Sequence, residues 1–245
     1  MYAEQDFVTF SGNEDAAAAV LGAGVSAADA NPGSSAAASA SAAAAAAADA
    51  GPRTVVIVGP SGSGKTHLLH AGKARAGSDG MLCSVPDMAV RLTLDLDESF
   101  FEKLCTAPAL FVDGLEGAAD DEAVAKLIEL MVAERARLGL STVFASRVCP
   151  KEIGAPNVTA ALEGYRVVGI APLDEAGRRT FAARAQERWH GENSPSLGDD
   201  AISYLTAQEG KLTDLDNAVH FLMQAPEGAA GRTLSADDVR AMLEA

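Results

Sequence analysis

Thr54-Val55-Val56-Ile57-Val58-Gly59-Pro60-Ser61-Gly62-Ser63-Gly64-Lys65-Thr66 decides how the rest of the chain is read. The first five residues are a continuous β-branched run. Such a run predicts a strand buried on both faces of a parallel sheet, where no solvent-facing alternation is needed. The next eight match G-x-x-x-x-G-K-[ST], and the residues from Lys65 to Arg75 read as a helix. Strand, glycine loop and helix in that order form a phosphate cradle. Glycines let backbone N–H groups close around phosphate oxygens, and the helix N-terminus adds a favourable dipole. Lys65 is placed to reach the β- and γ-phosphates, and the Thr66 hydroxyl to meet Mg²⁺. The expected nucleotide-binding set is therefore Gly59, Pro60, Ser61, Gly62, Ser63, Gly64, Lys65 and Thr66 with the adjoining His67, and the expected ligand is ATP or ADP with Mg²⁺.

A second acid is needed at the end of a neighbouring strand, to hold the metal partly through water. Ala109-Leu110-Phe111-Val112 is another buried run, and Asp113 closes it. Lys65 and Asp113 are the candidate catalytic pair, and Thr66 and Asp113 the candidate metal ligands. The bland alternative for Asp113 is a turn with Gly114.

Further strands are expected at Met81–Val85, Ser141–Ser146 and Tyr165–Ile170. Helices are expected at Asn13–Leu21, Asp97–Leu104 and Asp120–Leu138, the last with Val124, Leu127, Ile128, Met131 and Leu138 on its apolar side. The alternation means an α/β fold with a parallel sheet flanked by helices. After Pro172 no strong strand appears. Helical periodicity covers Asp174–Trp189, Gly198–Gln208, Leu212–Met223 and Ser235–Leu243, and Ser235 with Asp238 forms a capping signature. The tail therefore reads as a small all-helical subdomain.

The organisation expected is an N-terminal segment over residues 1–22, an insert over 23–51, the α/β core over 52–172 and the helical part over 173–245. Asp6–Phe10 reads as a short extended piece. The insert is rich in Ala, Ser and Gly and lacks large apolar side chains, so it cannot contribute to a core. Its stretch from Ala36 to Ala50 has transient helical propensity.

Charge bounds the function. The 245 residues carry 19 Lys and Arg against 34 Asp and Glu, a formal charge of −15. That argues against gripping nucleic acid or anionic lipid by the protein's own field. It leaves room for one cationic pocket. Cys83, Cys105 and Cys149 are odd in number and lack a C-x-x-C pair, which suits reduced thiols in the cytoplasm. The N-terminus has no basic and apolar leader pattern, and the Ala42–Ala48 run is too short and too weakly apolar for a bilayer span. His67 and His70 lie three apart on the loop helix without an evident third ligand, so a core-edge role is expected, as for the isolated His190 and His220. Arg178, Arg179, Arg184 and Arg188 give one helix a basic side, read as a solvated face pairing with acids, with a partner or phosphate contact as the alternative.

The residues beyond the loop sharpen this reading. Lys65-Thr66-His67-Leu68-Leu69-His70-Ala71 resembles the DnaA/Hda branch of the AAA+ ATPases, in which the loop lysine is typically followed by Thr-His-Leu-Leu-His-Ala. Leu110 to Glu116 is similar to that family's Walker B strand, and Phe144-Ala145-Ser146 through Pro150-Lys151-Glu152 to its sensor 1 strand and following turn. Ile170-Ala171-Pro172-Leu173 resembles the entry to the helical lid, and Phe7–Asn13 the segment before the loop. The likeness covers most of the chain outside the insert and is patchy between Arg75 and Pro108.

The resemblance implies an AAA+ core and lid, with the lid ending near Ala245 and no helix-turn-helix domain beyond it, as in Hda. It implies a nucleotide-binding regulator acting by protein contact in control of replication initiation, with DnaA or the replication clamp as partner, no direct nucleic acid contact, and homo-oligomerisation as a further option. Gln5–Phe10 is a loose version of the clamp-binding peptide of Hda.

The departures from the family pattern are specific. Gly114 stands where a second acid is often found, and Arg147 where sensor 1 usually has Asp. The arginine-finger position falls on Ala161, five residues from Arg166, and the sensor 2 arginine position falls on Thr213. A finger arginine alone is worth about 10³–10⁵ in rate, so slow or absent hydrolysis is expected. The competing readings are an active ATPase of the helicase-loader type, a small-molecule kinase, whose acceptor site would have only Arg91 and Lys103 to draw on, and a scaffold with a relict loop.

Overall fold

The computed structural model describes residues 12–23, 54–94, 98–191, 194–208, 210–224 and 231–244. Asp6–Phe10, the clamp-peptide resemblance over Gln5–Phe10 and nearly all of the insert lie outside them. The chain divides into two compact units, and of the described residues the second takes in those from Pro172 onward together with Ser61–Ser63.

Among the described residues the first unit contains five strands: β1 (Thr54–Val58), β2 (Gly80–Ser84), β3 (Ala109–Asp113), β4 (Ser141–Ser146) and β5 (Arg166–Gly169). They form one sheet in the order β2-β3-β4-β1-β5, and every pairing is parallel. The helices are α1 (Glu14–Ala23), α2 (Lys65–Ala76), α3 (Val85–Thr93), α4 (Glu98–Thr106), α5 (Glu122–Leu138) and α6 (Pro156–Ala161). The parallel α/β fold expected from the sequence is the fold observed. β1 sits between β4 and β5 and is buried from Thr54 to Ile57, as its β-branched composition requires.

Two apolar clusters cover the sheet. One joins α1 and α2 to the sheet through Ala16, Val20, Leu68, Leu69, Ile57, Phe111 and Val143. The other packs α3, α4 and α5 through Met88, Leu104, Val124, Ile128, Met131 and Phe144. Gly72 lets α2 cross the sheet closely, because a Cβ there would lie 2.6 Å from Phe111 Cε1 and 2.7 Å from Val20 Cγ1.

Several boundaries move. Val85 begins α3 instead of ending β2, because Ser84 and Asp87 form a capping box that starts a helix the strand pattern hid. α5 begins at Glu122, with Asp121 accepting from the N–H groups of Ala123 and Val124. Leu138, expected on the apolar side of this helix, is 40% exposed. It is the last residue before Gly139 caps the helix with φ 73°, so the chain turns away there. α6 was not anticipated.

Arg135, on α5, is 1% exposed despite its charge. Its guanidinium donates to the carbonyls of Leu104 (2.8 Å), Cys105 (3.4 Å), Ala107 (2.7 Å) and Ser141 (2.5 Å), and its Nε to Thr142 Oγ1 (2.7 Å). One planar fork thus satisfies the end of α4 and the entry to β4. Burial lowers its pKa to about 10, so it remains charged at neutral pH.

The second unit holds α7 (Glu175–Trp189), α8 (Asp199–Ala207), α9 (Leu212–Met223) and α10 (Ala236–Leu243). Their core includes Phe181, Ala185, Leu205, Leu215, Val219, Leu222 and Val239. The Ser235–Asp238 capping box is present. A two-residue parallel pair, β6 (Ser196–Leu197) with β7 (Thr233–Leu234), joins the otherwise helical elements; two residues per strand are too few to leave a period in the sequence.

The basic side of α7 is more specific than a solvated face. Arg178 donates to the carbonyls of Thr206 (2.9 Å), Gln208 (2.7 Å) and Gly210 (3.1 Å), so it caps α8 instead of pairing with an acid. Arg179 bonds Ser203, and Arg188 lies 3.4 Å from Asp216. Among the described residues no helix is long and apolar enough to cross a membrane.

Candidate functional site

The glycine loop leaves the C-terminal end of β1 and enters α2. Gly59 N–H donates to Ser146 O at the end of β4 (3.2 Å), and Ile170 N–H to Val58 O (2.7 Å). The loop's start is therefore tied to both neighbouring strands. Gly62 (φ 78°) and Gly64 (φ 91°) take left-handed conformations that a side chain would strain. Gly64 is the N-cap of α2 and supplies no side-chain acceptor to its first N–H groups. That leaves donors of the kind an anion satisfies.

Lys65 is 8% exposed. Its Nζ donates to Gly59 O (2.7 Å) and Pro60 O (2.8 Å), so the ammonium folds back along the loop. Burial depresses its pKa, while the charges of Glu116 and Asp113 oppose the shift and that of Arg147 reinforces it. Ser63 is 6% exposed, and its hydroxyl has no hydrogen-bond partner among the described residues. A buried hydroxyl left unpaired is costly unless a ligand or water meets it. These groups fit a phosphate.

Thr66 Oγ1 donates to Asp113 Oδ2 over 2.6 Å. A hydroxyl and a carboxylate oxygen are hard donors of the type Mg²⁺ takes. The two metal candidates are thus brought together. Pro60 and Ser61 are exposed in the loop, and His67 and His70 are half-buried on α2. Among the described residues no group of three or more His, Cys, Asp or Glu is arranged to hold a metal.

One pair close to the loop was missed as a unit by sequence reasoning. Gly114 (φ 76°) turns the chain from β3 into a 3-10 turn over Leu115–Ala119. There Glu116 accepts from Arg147 Nε (2.6 Å) and from Arg147 N–H (3.1 Å). Burial opposes ionisation of Glu116. Hydrogen bonds from its own N–H and from the backbone and side chain of Arg147, together with the Arg147 charge, outweigh that effect and hold its pKa below the usual value. The signal was legible only as two substituted positions, Gly114 and Arg147. Ala161 lies elsewhere, lining an open cavity of about 250 Å³ with Glu129, Val132, Asn157 and Tyr165. Arg166 is exposed on β5, and Thr213 is exposed on α9 in the second unit.

Comparison with solved structures gives a match over nearly the whole chain. Domain III of the replication initiation protein DnaA of Thermotoga maritima superposes with a TM-score of 0.76 and 19% identity, covering 99% of this chain and 95% of that one. The fold is that of DnaA domain III. A replication initiator DnaA bound to AMPPCP and single-stranded DNA gives a TM-score of 0.66 at 19% identity over 89% of this chain and 63% of its own. The Thermotoga maritima RuvB Holliday junction branch migration motor gives 0.57 at 16% identity, covering 78% and 61%. The chain spans less than two thirds of these longer proteins. The shared architecture is a five-stranded parallel sheet flanked by helices. No family model matches the sequence, and no curated protein matches it.

Proposed function

We propose that the protein is a nucleotide-binding AAA+ regulator, related to the DnaA/Hda branch, that acts by protein contact in control of replication initiation and hydrolyses ATP slowly or not at all. The observation that carries the nucleotide reading is the loop itself. Lys65 is buried against loop carbonyls, and two positions before it the Ser63 hydroxyl is buried and, among the described residues, without a hydrogen-bond partner. Gly59–Thr66 with His67 would hold ATP or ADP. Thr66 and Asp113 would hold Mg²⁺, directly or through water, and the ion supplies neutralisation of phosphate charge.

Two facts support the reading. A DnaA sharing this fold is described as bound to AMPPCP. The positions that would orient water or stabilise transferred charge carry Gly114, Arg147, Ala161 and Thr213. The same DnaA is also described as bound to single-stranded DNA. The −15 charge of this chain opposes that mode, and a protein partner, DnaA or the replication clamp, is preferred. The kinase alternative is weakened because Arg91 lies over the Phe100 ring, 4.7 Å from its centroid.

The experiment is nucleotide analysis of the purified protein, then calorimetric titration with ADP and ATP, with Lys65→Ala as control. Binding lost in Lys65→Ala, with turnover far below about 1 s⁻¹, is the expected result. Absence of binding in the wild type overturns the nucleotide reading. Capture of DnaA or the clamp that is insensitive to ADP and to Lys65→Ala would leave the loop outside the regulatory act.

A further inference from the structure

The open cavity of about 250 Å³ in the first unit lies between α5 and α6, and no residue of the glycine loop lines it. Its walls are held by the core. Val132 belongs to the apolar cluster that packs α3, α4 and α5, and Ala161 and Tyr165 pack against that cluster. Ala133 lines the cavity from an exposed position on α5. Leu130, three residues before it on the same helix and so its neighbour on the helix surface, is 47% exposed. A preformed slot thus opens beside an exposed apolar side chain.

One charge faces this largely apolar space. Among the described lining residues Glu129 carries the charge, and none is a cation. Its two carboxylate oxygens accept from Lys126 Nζ, each over 3.0 Å, and Oε2 also from Asn157 Nδ2 (3.4 Å). Lys126 has 58% side-chain exposure. An exposed pair of this kind is weak, so an incoming cation can displace it. Size argues against a small-molecule ligand, whose pockets run to about 300–1,000 Å³. The space suits one long side chain, the scale of an interface anchor. A carboxylate and an aromatic ring in an apolar slot match a guanidinium. Its planar fork bonds a carboxylate bidentately, its face stacks on a ring, and its stem covers apolar walls. An ammonium offers only a point charge. The −15 charge of the chain favours the approach of a basic partner.

We propose that this cavity receives an arginine side chain presented by a basic segment of a partner protein, with Glu129 as its counter-ion, Tyr165 as its stacking ring and Leu130 as the apolar flank. The inference rests on the protein-contact part of the function above and is independent of the nucleotide part.

The test is selection of random phage-displayed peptides against the full chain. Each enriched peptide is then titrated by fluorescence anisotropy against the wild type, Glu129→Gln, Ala133→Phe and Glu134→Gln. Enriched peptides should share an arginine beside an apolar residue. Glu129→Gln should weaken them by about tenfold, the scale of one charge-assisted contact, and so should lysine in place of the peptide arginine. Ala133→Phe places a ring in the cavity and should weaken them as much. Glu134→Gln removes the same charge from α5 at a residue paired with Arg137 outside the cavity, and should leave binding within about twofold. Enriched peptides without arginine, no enrichment at all, or equal binding by all four proteins overturns the proposal and leaves protein contact through another surface intact. Free L-arginine binding as tightly as the peptides would make this a small-molecule site and also overturns it. Self-association in sedimentation that Glu129→Gln abolishes would seat a second copy there, with the same consequence. Arginine peptides bound through Glu129, with no capture of DnaA or the clamp by the wild type, support the cavity and overturn those two partners.

Discussion

The Thr66 hydroxyl donates to the Asp113 carboxylate across 2.6 Å, joining the first turn of α2 to the end of β3. The two residues are 47 positions apart, and β4 lies between β1 and β3 in the sheet. The contact exists because α2 crosses from the end of β1 over the sheet and packs on β3 at Gly72.

That contact makes a prediction about the metal. ADP affinity measured by calorimetry should fall on addition of EDTA in the wild type, by about tenfold, or about 1.4 kcal/mol. In Asp113→Asn the affinity should be low with or without Mg²⁺. An Asp113→Asn variant with full Mg²⁺ sensitivity would exclude Asp113 from the metal site.

Glu116 gives a pH dependence. Its pKa in the folded protein is lowered, so ionised Glu116 favours the folded state above the pKa of the unfolded chain. The contribution is lost as pH falls through the lower folded value. The stability difference between wild type and Glu116→Gln, measured by thermal unfolding, should therefore be present at pH 7 and shrink below the ordinary glutamate range. High salt should reduce it, because Arg147 is exposed.

Arg135 is a stability determinant. Arg135→Met should cost about 3–5 kcal/mol in chemical denaturation, since it strands buried carbonyls at the end of α4 and the start of β4. Arg135→Lys should recover only part of this, because a single ammonium cannot span acceptors on both segments. A loss under about 1 kcal/mol for Arg135→Met would show that these carbonyls find other donors.

The cysteines should react unequally. Cys149 is exposed, whereas Cys83 and Cys105 are buried. Burial pushes the Cys83 thiol up to about 12 and raises that of Cys105. Since the thiolate is the reactive form, a disulfide reagent at neutral pH should label one thiol quickly and the other two only on unfolding. Cys149→Ser should remove the fast phase.

Local chemistry explains what was legible in advance. The strands at β1, β3 and β4 were readable because Thr54–Val58, Ala109–Asp113 and Ser141–Ser146 are apolar runs flanked by turn residues. α3 was not, because its start at Val85 looks like the continuation of a strand and is decided by the Ser84–Asp87 box. The basic side of α7 was visible as four arginines. That Arg178 caps α8 depends on carbonyls about 30 residues away.

The sequence alone determined the strand, glycine loop and helix from Thr54 to Ala76, since a β-branched strand, glycines free to take positive φ, and a helix-starting lysine are constraints satisfied within a dozen residues. It also named Asp113 as the acid to watch. Only the tertiary structure decided what surrounds the glycine loop and the sheet edge: Thr66 against Asp113, Arg147 on Glu116 beside the loop anchor, and Arg135 sealing α4 to β4. Those pairings are set by the strand order β2-β3-β4-β1-β5, which brings together chain segments far apart in number. No spacing rule along the sequence encodes which strand ends become neighbours.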